Sequence, residues 1–389
     1  MKKIGIVTFH FVFNNGAVLQ CLALSKFLKK LGNVDVEVLN YQPDYHTNIY
    51  NPIINPIPPA YSFAKSFKNR NILYKGYRFI RNICALSKKN LEYRNRKLRK
   101  KIFEEYIDKH INSSKRCKTH KDMVDYCNGF DIYIAGSDQI WNSKITNYSI
   151  DPIYYLDFVN NDKCIKISYA ASANFIENEM EQVKKLIKDF DAISVREQIA
   201  YDCLTEYIDK DKLRVDVDPT LLLDDFDYHE FEEFVELPSK YILFYGLPTN
   251  DNKLLKQVLG LIKDKYDIPV VDISPIDNKL DINTIKKDVS PGGFLTCIKN
   301  ADFVVSNSFH GSVFSIIYQK EFWTISPSLH SERLEQLLNN YNLYDRLVRT
   351  IENIDYTEIK WDIVKMRYID NRRDSVEFLK NILVDGDKR

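Results

Sequence analysis

The chain repeats one unit: a short unbroken apolar run, a polar turn, then a helix with apolar residues at helical spacing. Its first instance runs from Ile4 to Phe9, turns at Asn14, Asn15 and Gly16, and continues through Val18, Leu22, Leu24, Phe27, Leu28 and Leu31. Gly32 ends that helix, and Val34 to Leu39 reads as a second strand. Continuous apolar runs of this length fit strands buried on both faces, and strand–turn–helix–strand is the building block of a parallel sheet. The rhythm returns at Asp131 to Ala135, Ile165 to Ala171, Ala192 to Val195 and Leu213 to Val217, with a helical pattern from Glu177 to Phe190. After an acidic linker, Asp224 to Pro238, it returns again. Strands are expected at Tyr241 to Tyr245, Val270 to Ile273, Phe303 to Ser306 and Phe322 to Ile325. Helices are expected at Asn252 to Lys265, near Gly293 to Lys299, and at Ser312 to Gln319.

The length agrees with two such halves: a single core rarely grows past about 250–300 residues, and this chain has 389, of which 44% are hydrophobic. The expected fold class is α/β, with one Rossmann-like domain over 1–228 and another over 238–350. A last segment, 351–389, carries a helix from about Asp370 to Leu383 that packs back toward the first domain, a glycosyltransferase-B-like arrangement. Residues of about 45–125 interrupt the first domain. Pro43, Pro52, Pro56, Pro58 and Pro59 make the first part irregular, and the Lys- and Arg-rich remainder has helical spacing. That basic insertion reads either as a solvated helical face or as a surface for an anionic membrane or a lipid-linked acceptor.

Charge and cysteine usage narrow the class. Charged residues make up 28% with a net charge of +1, which argues against a nucleic-acid partner. Seven cysteines are scattered singly, giving neither a disulfide framework nor zinc spacing, so no metal is expected and a reducing cytosol fits. The N-terminal run is broken by His10 and Asn14 and reads as a strand rather than a signal peptide. No stretch approaches the roughly 20 apolar residues of a membrane span. A cytoplasmic protein is expected, with peripheral contact at the inner face of the membrane left open.

In open α/β sheets ligands bind beyond the carboxyl ends of the strands, and five polar interruptions fall there. Asn15 and Gly16 open a helix whose free N–H groups favour anions, and Gly16 admits close approach to the backbone; a plain turn serves as well. Ser137-Asp138-Gln139-Ile140-Trp141-Asn142 follows a strand. There Asp138 has the chemistry of a general base or a sugar ligand, or of a helix cap. Arg196 starts a helix with Glu197 and suits a phosphate or carboxylate, or else a structural pair with Glu197 or Asp218. Asp218, held extended by Pro219, suits a fixed carboxylate or a boundary turn. Ser306-Asn307-Ser308-Phe309-His310-Gly311-Ser312 places His310 at a helix start, where an imidazole can exchange protons near neutral pH.

Together these stretches resemble the polysaccharide pyruvyl transferase family. The resemblance is carried in order by NNGAVLQCLAL (14–24), DIYIAGSDQIWN (131–142), SYAAS (168–172), ISVRE (193–197), DVDPTLLL (216–223) and NADFVVSNSFHGSVFSIIYQKEF (300–322), with SERLEQLLNNYNLYDR (331–346) weaker. It implies pyruvate transfer from phosphoenolpyruvate to two hydroxyls of a sugar in a polysaccharide or lipid-linked oligosaccharide precursor, forming a ketal without a cofactor. It further implies His310 and Asp138 as catalytic groups. Asn15, Gly16, Arg196, Ser308, Gly311, Ser312 and Arg333 would hold the donor, and Gln139, Trp141 and Asn142 the acceptor. Some members carry arginine where this chain has Ser308, and Arg333 is the expected substitute. Two other functions share the plan: a nucleotide-sugar glycosyltransferase and a non-catalytic sugar-binding protein.

Overall fold

The computed structural model describes residues 1–47, 93–161, 163–248, 252–276, 283–326 and 332–385. The first half is built on β1 (Lys2–Val7), β2 (Val34–Val38), β3 (Ile132–Ala135) and β4 (Ile165–Ser168). They form a parallel sheet ordered β2-β1-β3-β4. β5 (Ile193–Val195) and β6 (Leu213–Val215) pair beyond it, tied to β4 and the segment after it by the bridges Ile167–Ala192 and Ala171–Val195. The second half holds β7 (Ile242–Tyr245), β8 (Val270–Asp272), β9 (Thr284–Lys286), β10 (Phe303–Ser306), β11 (Phe322–Ile325) and β12 (Leu347–Val348). Their order is β12-β11-β10-β7-β8-β9, all parallel. Counted from β9, this is the doubly-wound order 3-2-1-4-5-6. β3, β7, β10 and β11 are buried at every position, which is why each reads as an unbroken apolar run. The fold is α/β with two Rossmann-like halves, as expected.

The helices that position the site are α1 (Asn15–Leu31), α2 (Tyr93–His110), α3 (Met180–Ile187), α4 (Gln198–Leu204), α5 (Lys253–Tyr266), α6 (Pro291–Lys299), α7 (Phe309–Ile317), α8 (Glu332–Asn340) and α9 (Trp361–Asp385). α1 packs on β2 and the 3₁₀ turn Pro219–Leu222 of its own half and on α6 and α7 of the other. One apolar cluster therefore runs from Ile4, Val18 and Leu22 to Val304, Val313 and Phe314. Most of the insertion, 48–92, lies outside the described residues. Its helix α2 buries Phe103 beside Phe13 of the first half and Tyr106 against Gly292 of the second, and Tyr106 Oη donates to Phe231 O at 2.9 Å. α9 lies on the first half through Tyr368 Oη to Leu223 O at 2.6 Å and Ser375 Oγ to Asp216 Oδ1 at 2.7 Å. Among the described residues no helix is long and apolar enough to cross a membrane.

Some boundaries differ from the periodicity. β4 stops at Ser168 rather than Ala171 because Ala170 takes φ 45°, a left-handed value no strand continues through. β9 and β12 are too short, at 3 and 2 residues, to leave a pattern. α9 starts at Trp361 rather than near Asp370, since exposed Met366 and Ile369 blur its first turns.

Candidate active site

The site assembles on Asp218, just beyond β6. Its Oδ1 accepts from the Thr220 N–H at 3.0 Å and from Thr220 Oγ1 at 2.7 Å. Its Oδ2 accepts from Arg196 Nη1 at 2.7 Å and faces His310 Nε2 at 3.7 Å, an ion-pair distance too long for a hydrogen bond. Burial opposes the Asp218 charge, but His310, Arg196 and Thr220 outweigh it and hold the carboxyl well below the usual range. Three strand ends thus converge on one carboxylate: β5 delivers Arg196, β6 delivers Asp218, and β10 through α7 delivers His310.

Arg196 is buried, and its charge is already answered. Nε donates to Glu197 Oε1 at 3.0 Å, and the guanidinium lies over the Phe309 ring with 4.7 Å from Cζ to the centroid. Glu197 Oε1 also accepts from Ser172 Oγ at 2.8 Å. Burial alone would lower the Arg196 pKa; Glu197, Asp218 and Asp138 more than reverse it, so the group stays cationic. The expectation of Arg196 as an open anion clamp is corrected accordingly: two carboxylates hold it as a structural cation. Arg333, in the first turn of α8, makes no hydrogen bond or ion pair among the described residues. Burial and the neighbouring Arg196 press its pKa down, against the pull of Glu197 and Asp138. A cavity of about 150 Å³ lies between these groups, lined by Arg196, Glu197, Asp218, Phe309, Arg333 and Tyr341 among others. His310 is not itself a lining residue but adjoins two of them, Asp218 at 3.7 Å and Phe309 at 5.2 Å between ring centroids.

His310 is fixed from the first half. Its ring lies on Gly16, where a Cβ would overlap the imidazole, and its buried Nε2 has no hydrogen bond. The cap of α1 is Asn14, whose Oδ1 accepts from the N–H groups of Gly16 at 3.0 Å and Ala17 at 3.3 Å, while Asn15 is buried behind it. The other donor-site candidates of β10–α7 are spent on the fold. Ser308 caps α7 through Gly311 N–H at 3.4 Å, Gly311 lies against Ser306, and Ser312 Oγ meets Thr324 Oγ1 at 2.6 Å inside the second half.

Asp138 occupies a left-handed position, φ 69°, and accepts from Gln139 N–H at 2.8 Å. Its carboxylate acts electrostatically on Arg196, Arg333 and His46, so it belongs to the same charged group. The turn is pinned from α1: Gln20 Oε1 accepts from Ser137 N–H at 3.2 Å, and Ser137 O accepts from Thr8 Oγ1 at 2.8 Å. Gln139 Oε1, half-buried, accepts from Asn142 Nδ2 at 2.9 Å. Trp141 is not a surface for a sugar: it is buried, stacked on Tyr155 at 5.0 Å, and donates Nε1–H to Tyr154 O at 2.9 Å. Asn142 is buried with it. Both assignments to the acceptor are corrected, because the strand end turns these side chains into the core.

Asp218, Glu197 and Tyr341 are the residues that the sequence-based site leaves out. Asp218 carried a signal, an aspartate fixed before proline at a strand end; Tyr341 carried none. Among the described residues, no group of three or more His, Cys, Asp or Glu side chains is placed to hold a metal ion.

A doubly-wound pair of halves, with an imidazole, a buried carboxylate and two guanidiniums gathered near the strand ends, defines the class as a two-half α/β protein. Over residues 14–328 the chain matches the model of the family described as polysaccharide pyruvyl transferase, and it belongs to that family. No curated protein matches it in sequence. Among solved structures it is similar to the UDP-GlcNAc 2-epimerase of Methanocaldococcus jannaschii, at 12% identity and TM-score 0.47 over 96% of this chain and 93% of that one. The Neisseria meningitidis UDP-GlcNAc 2-epimerase bound to UDP-GlcNAc is similar at 10% identity and TM-score 0.45, over 98% and 94%. The glycotransferase of kitacinnamycin is similar at 10% identity and TM-score 0.39, over 99% and 95%.

Proposed function

We propose that the chain transfers pyruvate from phosphoenolpyruvate to two hydroxyls of a sugar in a polysaccharide or lipid-linked precursor, forming a ketal and releasing phosphate. The observation that carries this reading is one small cavity lined by Arg196, Asp218 and Arg333, with His310 beside Asp218. In the proposed sequence, His310 delivers a proton to the methylene carbon of the donor, and the central carbon becomes oxocarbenium-like. A first sugar hydroxyl adds there and gives up its proton. The bond to the phosphate oxygen then breaks, and a second hydroxyl adds and gives up its proton. One proton is taken up at carbon and two leave the hydroxyls, one of which departs on phosphate. His310 serves first as acid and then as base. Asp218, 3.7 Å from Nε2, offsets the charge that the imidazole carries as an acid, the electrostatic part of what a buried carboxylate does for a catalytic histidine.

Arg333, the cation with no carboxylate bound to it among the described residues, pairs with the donor's anionic oxygens; Arg196 keeps Asp218 ionised and placed. Asp138 faces the acceptor. The scheme calls for no cofactor. A lipid-linked acceptor would be met at the inner face of the membrane. The test is phosphate release from phosphoenolpyruvate across acceptors containing galactose, mannose and glucosamine. Release that depends on one acceptor supports the reading. Thermal protection by UDP or CMP with none from phosphoenolpyruvate would replace it with nucleotide-sugar transfer.

A further inference from the structure

The cavity beside Arg333 contains polar atoms that the folded chain leaves unpaired. Tyr341, in the turn after α8, is 1% exposed, and its hydroxyl has no hydrogen-bond partner. Glu197 is 3% exposed; its Oε1 serves Arg196 and Ser172, while Oε2 has no partner. Both residues line the same cavity, as does Arg333. A buried hydroxyl or carboxylate oxygen without a partner costs about 1–3 kcal/mol, so such groups are rare in native proteins and call for an explanation. Here they come from separate places, the cap of α4 and the turn after α8, and they line one volume. Asn371 lies beside Tyr341, where its amide pulls against the upward push of burial on the phenol, but no hydrogen bond of normal geometry joins the two, and Asn371 Nδ2 donates to Asn340 O at 2.8 Å.

We infer that Tyr341 is a ligand-binding residue, its hydroxyl donating to the oxyanion that Arg333 pairs with in this cavity. The inference rests on the proposed function for the identity of that oxyanion, the phosphate group of phosphoenolpyruvate. A phosphate oxygen that keeps or acquires a proton finds its acceptor in Glu197 Oε2. Arg333 supplies the charge and Tyr341 the direction, because a phenol held by a rigid ring has one O–H to place, whereas a guanidinium has five N–H groups.

The substitution Tyr341→Phe separates a ligand role from a structural one. Removing a buried hydroxyl that has no partner in the unliganded protein leaves thermal stability unchanged or raises it. Removing one that donates to an anion weakens binding roughly tenfold or more, the usual effect of a hydrogen bond to a charged group. Calorimetric titration of the full chain with phosphoenolpyruvate, and separately with inorganic phosphate, reads the second quantity; thermal unfolding without ligand reads the first. The expected result is weaker binding of both probes by Tyr341→Phe at equal or higher melting temperature, with Arg333→Gln weakening both further. Unchanged affinity in Tyr341→Phe, or a lowered melting temperature with unchanged affinity, overturns the inference and leaves the proposed function standing. Failure of the wild-type chain to bind phosphoenolpyruvate overturns the proposed function and this oxyanion together.

Discussion

Asp218 receives Arg196 on the same oxygen that faces His310, and this sharing sets what each side chain does. The Arg196 guanidinium and the Thr220 donors help hold the Asp218 carboxyl well below its usual range, so His310 has an anion beside its Nε2. An imidazole so placed can carry a proton to a substrate and take one back without leaving an uncompensated charge. His310→Ala is expected to lower turnover by roughly 100-fold or more, the scale of a lost general acid–base group. The circular dichroism spectrum and melting temperature should stay near wild type, since the ring makes no hydrogen bond through Nε2 and packs locally among Gly16, Asp218 and Phe309. Near-normal turnover would remove His310 from the chemistry. A second histidine sets the response to acid. His46 sits between Phe9 and Phe11 at centroid distances of 4.8 and 5.3 Å, and burial drops its pKa to about 4, against a smaller upward pull from Asp138. The folded protein therefore holds His46 neutral while the unfolded chain protonates near pH 6.5. The unfolded state binds the extra proton, so stability falls as pH drops below about 6.5, by about 2 kcal/mol at pH 5 from this group alone. His10, lowered by its own burial against upward pulls from Thr8 and Asn40, acts in the same direction. Urea unfolding of His46→Phe should show a shallower loss between pH 7 and pH 5; an unchanged slope would show that His46 is already solvated.

The site depends on how α1 meets α7. Gly16 opens α1 in the first half, His310 lies in the first turn of α7 in the second, and the imidazole occupies the space a Cβ at position 16 would need. Gly16→Ala is expected to push the ring off Asp218 and to cut turnover by at least about tenfold, since small misplacements of a reacting group are costly. Circular dichroism should show no loss of helix, because alanine favours helices more than glycine does. Full activity in that variant would mean that the ring has room elsewhere. Much of this scale was legible in the residues. β3, β7, β10 and β11 announce themselves because both their faces are buried, and the NNG and SFHG turns mark the starts of α1 and α7. What was not legible is pairing across the chain. Nothing local tells that the ends of β5 and β6 face α7, so the sequence leaves Arg196 open between an anion clamp and a structural pair with Glu197 or Asp218, and the fold decides for both carboxylates. Trp141 misled for a related reason. An aromatic among polar residues resembles a sugar platform, yet its ring lies in the core with Tyr155. Tyr341 gave no signal because an unpaired hydroxyl is a property of the folded surroundings.

At the scale of the whole molecule the two sheets are joined more tightly than their separate strand orders imply. The apolar cluster that contains Ile4 and Val18 also contains Val304 and Phe314, so one core is shared between the halves beside the smaller cluster that each holds for itself. α9 adds a second tie. It follows the second half in sequence but lies on the first, where Ser375 reaches Asp216, Arg372 reaches Asp224 at 2.7 Å, and Leu379 is fully buried. Halves coupled in both ways should unfold as one cooperative unit. Tryptophan provides a reporter for each, because Trp141 is buried in the first half and Trp323 in the second. In variants that keep one of these and carry phenylalanine at the other and at Trp361, the two fluorescence transitions in guanidinium chloride should fall at midpoints that differ only by the cost of the replacements themselves. Leu379→Ala then serves as the discriminating perturbation. Truncating a fully buried leucine costs about 2–5 kcal/mol, and in a single cooperative unit that cost must appear equally in both reporters. A shift confined to Trp141 would show that α9 stabilises only the surface it covers and that the halves melt separately. The Asp218 site, which draws residues from both, would then be lost at the lower of the two transitions.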